Sequence, residues 1–367
     1  MKIGSSKNLF IGVIVIIVSI FMFIYLGGDD GEKNYITMVN KWDNLYKGNN
    51  IKFYYMDEGE AEIIHLKSKC EIDKIVNEKD DEILKALDIE KWLKARCEIS
   101  LTAMETKKNA EELLIEMGKG AVVSQKDYNT IMEELLTSVG VTVRVGEYRL
   151  NESYSVIEIW DSKRMKWIMV DGFAGGYLEC DGEPLSAIEV LNGDLKNLTL
   201  DTGEKKMSLE KSHVKILNSS LGTYTIKVDN NKYDKSVINS YVTYVKEVED
   251  IQVETDKGYI QPTIFVEDEV VFNISPCIDE KEYKADEIPT MIFSKRDMKE
   301  DGEGYIKFVL GTFMNSTMLR DFYIRINGGE YIKVDTYYSL SVETGNNLIE
   351  ISVDGVNTVR SVIINKE

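Results

Sequence analysis

The chain has 367 residues, 43% of them hydrophobic and 29% charged, so it is long enough for more than one buried core and too apolar to stay disordered. Sixty-three acidic against 44 basic residues give a net charge of −19, which repels a phosphate backbone and excludes nucleic acid as a partner. Four prolines leave no proline-rich linker, and two histidines, His65 and His213, confine imidazole chemistry to two positions.

The first element is an uncharged run of 18 residues, Leu9 to Leu26, interrupted only by Gly12 and Ser19. That length crosses a hydrocarbon core as a helix. Lys2 and Lys7 precede it and Asp29 and Asp30 follow. The run is therefore expected to be a single-pass membrane anchor, with residues 1–8 in the cytoplasm and the rest of the chain outside. A cleaved signal peptide is the competing reading. Cys70, Cys97, Cys180 and Cys277 include no C-x-x-C pair. They form two disulfides outside the membrane, with Cys70 and Cys97 closest in sequence, or they stay as buried thiols.

Helical spacing follows. Ile83, Leu84, Leu87, Ile89, Trp92 and Leu93 make one stripe, and Ala110, Leu113, Leu114 and Met117 a second that stops at Gly118. Residues Asp127 to Val139 make a third, ending at Gly140. Short β-branched and aromatic runs come next at Val141 to Val145, Ser153 to Trp160 and Trp167 to Val170, and Pro184 to Leu191 predicts a short helix. From about residue 210 the pattern reads as strand almost throughout, including Tyr224 to Val228, Glu269 to Ile274, Phe322 to Ile326, Leu348 to Val353 and Thr358 to Ile364.

The expected fold class is α+β: an N-terminal transmembrane helix, an α+β domain, and a C-terminal all-β region of the immunoglobulin-like sandwich kind. The divisions are a cytoplasmic tip at 1–8, the anchor at 9–26, the helical and α+β part at 29–205, a β-rich module at 206–290 and a β-sandwich at 291–367.

The central stretch carries four strings in order: GVTVR from Gly140 to Arg144, YSVIEIWD from Tyr154 to Asp161, KWIMVD from Lys166 to Asp171, and GEPLSAIE from Gly182 to Glu189. Together they resemble the transglutaminase-like domain of the papain-like cysteine hydrolases, across about a quarter of the chain. The resemblance implies a helix headed by a nucleophilic Cys, then a strand bearing His, then a strand ending in Asp. The thiolate attacks an amide carbonyl, the imidazole moves its proton and the carboxylate orients the imidazole.

Placed on this sequence, the Cys position falls on Gln125, or on Ser124 if the alignment slips by one, and the His position on Tyr154. Only Asp171 matches. A phenol with an ordinary pKa near ~10 is no base at neutrality. The resemblance thus implies a degenerate triad, with a hydrogen bond from Tyr154 to Asp171 standing in for the imidazole contact. Asp171 also reads simply as the end of a strand before Gly172.

Period-two alternation puts Tyr154, Val156 and Glu158 on one strand face and Ile157 and Ile159 on the other. Glu158, Trp160, Arg144 and Trp167 are the candidate binding residues, with Trp160 and Trp167 equally readable as core. No phosphate loop, HExxH or other metal string is present, so neither cofactor nor metal is expected.

The functional expectation is a membrane-anchored, outward-facing protein whose catalytically degenerate transglutaminase-like domain binds an envelope protein, peptide or glycan. Two alternatives stand beside it: an active cysteine hydrolase or amide-forming enzyme with a displaced Cys and His pair, and a structural scaffold of the envelope.

Overall fold

A computed structural model describes residues 37–76, 79–117, 122–228, 240–251, 262–276, 280–295 and 306–366. In chain order, strand β1 (Thr37–Asp43) precedes helices α1 (Ala61–Cys70), α2 (Ile72–Val76) and α3 (Glu82–Lys94). Strand β2 (Glu98–Ser100), helix α4 (Ala110–Met117), strand β3 (Val122–Ser124) and helix α5 (Gln125–Thr137) follow. Then come β4 (Val143–Arg149), β5 (Ser153–Asp161), β6 (Lys166–Asp171), β7 (Gly176–Cys180) and β8 (Glu183–Pro184). Helix α6 (Ala187–Asn192), β9 (Thr199–Asp201), β10 (Lys206–Ser208) and helix α7 (Lys211–Ser220) lead into β11 (Thr223–Val228), β12 (Ser240–Tyr244) and β13 (Thr263–Val266). The last part holds β14 (Thr290–Lys295), β15 (Ile306–Met314), β16 (Thr317–Met318), β17 (Asp321–Ile326), β18 (Ile332–Asp335), β19 (Tyr337–Val342), β20 (Gly345–Ser352) and β21 (Arg360–Lys366).

Helix α5 shows why the sequence folds as it does. The Ser124 hydroxyl accepts the Asp127 amide hydrogen at 3.0 Å and so caps the first turn. Tyr128, Ile131, Met132, Leu135 and Leu136 are all fully buried along one face. Complete burial of such a side chain contributes about 1.5–3 kcal/mol, so this stripe holds the helix on the sheet. The chain leaves through Gly140, whose φ of 76° suits a residue without Cβ.

The central sheet runs β10-β9-β7-β6-β5-β4-β11-β12-β13, with β8 added to β7. Its pairings are antiparallel except β12 with β13. Alternation along β5 and β6 divides the core as the sequence predicts. Ile157, Ile159, Ile168 and Val170 pack with α1 to α5 on one side. Tyr154, Val156 and Met169 pack with α6 and Leu217 of α7 on the other. A third core, around Trp42, Phe293, Phe308, Phe322 and Val362, joins a sheet of order β1-β21-β20-β17-β18 to a smaller one built on β14 and β15.

Several expectations need correction. The fold is a mixed α+β assembly, with four sheets among the described residues, not a helix-anchored α+β domain followed by an all-β region. The run Leu9 to Leu26 lies outside the described residues, and among those described no helix is long and apolar enough to cross a membrane. Strands β10 to β13 extend the central sheet instead of forming a β module of their own, and β1 closes onto β21.

Residues 211–220 are helical because His213, Leu217 and Ser220, spaced i, i+4 and i+7, share one buried face. Glu269–Asn273 is a 3-10 turn, not a strand. Asp268 accepts the Val270 amide hydrogen at 2.9 Å and starts the turn, while Val271 and Phe272 enter the core.

Candidate functional site

Strand register decides what meets Asp171. Ile157 stands opposite Val170, which sets Val156 beside Asp171 and leaves Tyr154 on the diagonal, within reach of a long aromatic side chain. Tyr154 donates its phenolic hydrogen to Asp171 Oδ1 at 2.6 Å. The same oxygen accepts the amide hydrogens of Phe173 at 3.1 Å and Ala174 at 3.0 Å, so the carboxylate organises the turn that follows β6. Gly172 begins that turn under the Tyr128 ring of α5, where an added Cβ would lie 2.4 Å from Cε1.

Gln125, the first residue of α5, reaches the start of β5. Its Oε1 accepts the Ser155 amide hydrogen at 3.0 Å, and its Nε2 is buried without a hydrogen-bond partner. One turn along, Asn129 Nδ2 donates to Ser155 Oγ at 2.9 Å. The positions carrying Gln125, Tyr154 and Asp171 therefore do converge, while Ser124 is taken up in capping the helix.

A fourth residue completes the cluster. His213 of α7 places Nε2 3.0 Å from Asp171 Oδ2, although the ring is not aligned for an in-line hydrogen bond. It stacks on Phe173 and meets Tyr154 edge-on, at centroid distances of 6.1 and 5.8 Å. The sequence motifs assign His213 no role in this site. The signal that would have found it is the buried i, i+4, i+7 spacing of α7, masked by the strand-like reading of that region.

The electrostatics follow from burial. Asp171 is fully enclosed, which alone would raise its pKa. The His213 ring, the Tyr154 phenol and the Ala174 amide outweigh that effect and hold the carboxyl below its usual range. Burial and the Asp171 charge push the Tyr154 phenol well above its ordinary value, with the Gln125 amide acting the other way. Tyr154 is thus a neutral donor, not a base.

Arg144, Glu158, Trp160 and Trp167 form a second cluster, buried between the central sheet and α6. Arg144 Nε donates to Glu158 Oε2 at 2.7 Å, and the Tyr224 hydroxyl donates to that oxygen at 2.8 Å. Glu158 Oε1 accepts the Ala187 amide hydrogen at 2.9 Å. The Arg144 guanidinium lies 4.1 Å over the Trp167 ring, and Trp167 Nε1 donates to the Ile274 carbonyl oxygen at 3.0 Å.

This explains the GEPLSAIE string physically. Gly182 turns at φ 86°, Ser186 and Glu189 close a capping box, and the buried carboxylate pins the first amide of α6. Arg144, Glu158, Trp160 and Trp167 are all buried, so they hold the scaffold together and present no open surface.

Cys70, Cys97 and Cys180 are unpaired and half-buried, so Cys70 and Cys97 are not bridged; Cys277 lies outside the described residues. Burial raises the Cys70 thiol and pushes Cys97 up to about 11, the opposite of an activated nucleophile. Among the described residues no cysteine hydrogen-bonds to either histidine.

No protein-family model matches the chain, and no curated protein matches it. Among solved structures it is similar to one from Cytophaga hutchinsonii named "a Putative Cysteine Protease", at 13% identity and a TM-score of 0.26. That similarity covers 38% of this chain and spans about half, 49%, of the other.

Proposed function

We propose that the α5 to β7 region is a transglutaminase-like unit that has given up amide chemistry and binds a peptide or glycan partner without turning it over. The observation that carries this reading is the Tyr154 to Asp171 hydrogen bond at 2.6 Å. It fills the place of an imidazole-to-carboxylate contact with a group that is neutral and a poor base. Two further points support it: Gln125 heads the helix where a thiol would be needed, and Asp171 is sealed from solvent.

The test is amine incorporation and amide hydrolysis on a glutaminyl peptide with a fluorescent primary amine, before and after thiol alkylation. No thiol-dependent turnover is expected, and binding to a peptide and glycan array should survive alkylation. Turnover abolished by iodoacetamide would overturn the reading.

One contact favours a second reading. His213 Nε2 lies 3.0 Å from Asp171 Oδ2, and a turn of the ring would bring it into the in-line hydrogen bond by which a carboxylate orients a catalytic histidine. On this reading His213 is the base of a hydrolase that uses no cysteine. Hydrolysis lost on His213→Gln and insensitive to alkylation would select it.

A further inference from the structure

A cavity of about 580 Å³ lies among α1, the end of α3 and α4, and shares no lining residue with the Asp171 cluster. Its interior is apolar. Leu66 and Met117 are buried, and Trp92 and Leu114 are half-buried. The volume falls within the roughly 300–1,000 Å³ of small-molecule sites.

The charges at its edge are unequal: Lys69, Arg96 and Glu111 line it, a net of one positive charge. Glu111 is already engaged by Lys69 Nζ and by His65 Nδ1, the latter at 3.0 Å. Arg96 is held flat, its Cζ 4.0 Å over the Trp92 ring and its Nη1 donating to the Trp92 carbonyl oxygen at 2.8 Å. Among the described residues no carboxylate pairs with Arg96, so most of its five donors remain available.

We propose that this cavity binds a small apolar carboxylate, of the medium-chain fatty-acid or arylalkanoate class. The hydrocarbon fills the space over Leu66, Leu114 and Met117, and the carboxylate meets Arg96. A planar guanidinium fixed by stacking recognises a carboxylate through paired charge-assisted hydrogen bonds. This inference is independent of the function proposed for the Asp171 region.

The experiment is calorimetric titration of the full chain with decanoate, decan-1-ol and decyltrimethylammonium. Decanoate is expected to bind at one site, the alcohol about tenfold more weakly or worse, and the cation not at all. Arg96→Gln should weaken decanoate by about tenfold while leaving decan-1-ol unchanged. Leu114→Trp should fill the space and remove binding of both, with circular dichroism reporting an intact fold. Cys70 also lines the cavity, so decanoate should slow its alkylation by iodoacetamide. Failure of decanoate to bind, equal binding of the cation, or unchanged decanoate affinity in Arg96→Gln would overturn the proposal.

Discussion

Tyr154 and Asp171 sit on neighbouring strands, one diagonal step apart, and share a 2.6 Å hydrogen bond inside a closed core. Among the described residues the phenol is the one side-chain hydroxyl on this carboxylate, and Tyr154→Phe deletes it without changing shape. Loss of a hydrogen bond to a charged group should cost about 1.5–3 kcal/mol, read as a lower urea midpoint with an unchanged slope. An unaltered midpoint would mean that the bond contributes nothing net.

Asp171 also sets a pH dependence. Its carboxyl titrates lower in the folded chain than in the unfolded one, where the value is about 3.9. The stability it contributes is therefore fully present above about pH 4 and is lost as the pH falls through the folded-state value. Asp171→Asn should be less stable at neutrality and should show a shallower loss of stability in acid. Denaturation midpoints measured across that range check both.

Glu90 runs in the opposite direction. Burial pushes its carboxyl well above the usual range; Lys94, 4.0 Å away, pulls it down, and the Asp171 charge adds to the rise. The folded chain keeps a proton that the unfolded chain releases above about pH 4.3, so stability falls as pH rises past that value. Glu90→Gln should raise the thermal midpoint at neutral pH and leave it nearly unchanged in acid.

Rebuilding the missing chemistry tests whether the three positions are equivalent to a triad. In a chain carrying both Gln125→Cys and Tyr154→His, the introduced thiol heads α5 and the introduced imidazole replaces the phenol on the strand face toward Asp171. A helix N-terminus and an adjacent imidazole both lower a thiol pKa. Alkylation near pH 6 should be faster than in the single Gln125→Cys variant and faster than at Cys70, Cys97 or Cys180. Equal rates would separate this site from cysteine-hydrolase geometry.

Glu158→Gln should be the most damaging of these changes. It leaves the Arg144 guanidinium buried without its counter-charge and weakens the anchor on α6. Breaking a buried pair from one side costs about 3–5 kcal/mol, enough to show as a large fall in the urea midpoint.

What the sequence disclosed depended on how local the signal was. The stripes of α3, α4 and α5 and the alternation of β5 and β6 are periodic over several turns or pairs, and each element forms within a few residues of its expected place. Gln125, Tyr154 and Asp171, aligned by short strings, lie close together because they sit at the ends of these same regular elements. Glu269 to Asn273 misled because a β-branched run was read without its Asp268 cap. His213 is not legible as part of the site because its partner, Asp171, is 42 residues away in sequence and only tertiary packing brings the pair together. Arg144 and Glu158 read as a binding patch, since residue type alone does not tell a buried ion pair from an exposed one.

Thr37 pairs with Lys366 and Asp43 with Ser361, so the outer end of β1 lies beside the far end of β21. Tension applied between these two points would load the ladder one rung at a time, as in opening a zipper, instead of shearing all its hydrogen bonds at once. Strand β21 is gripped on its other side by β20, whereas among the described residues β1 is an edge strand, so β1 should peel away first. That seam should therefore open at lower force than the central sheet, whose strands lie between β1 and β21 in sequence.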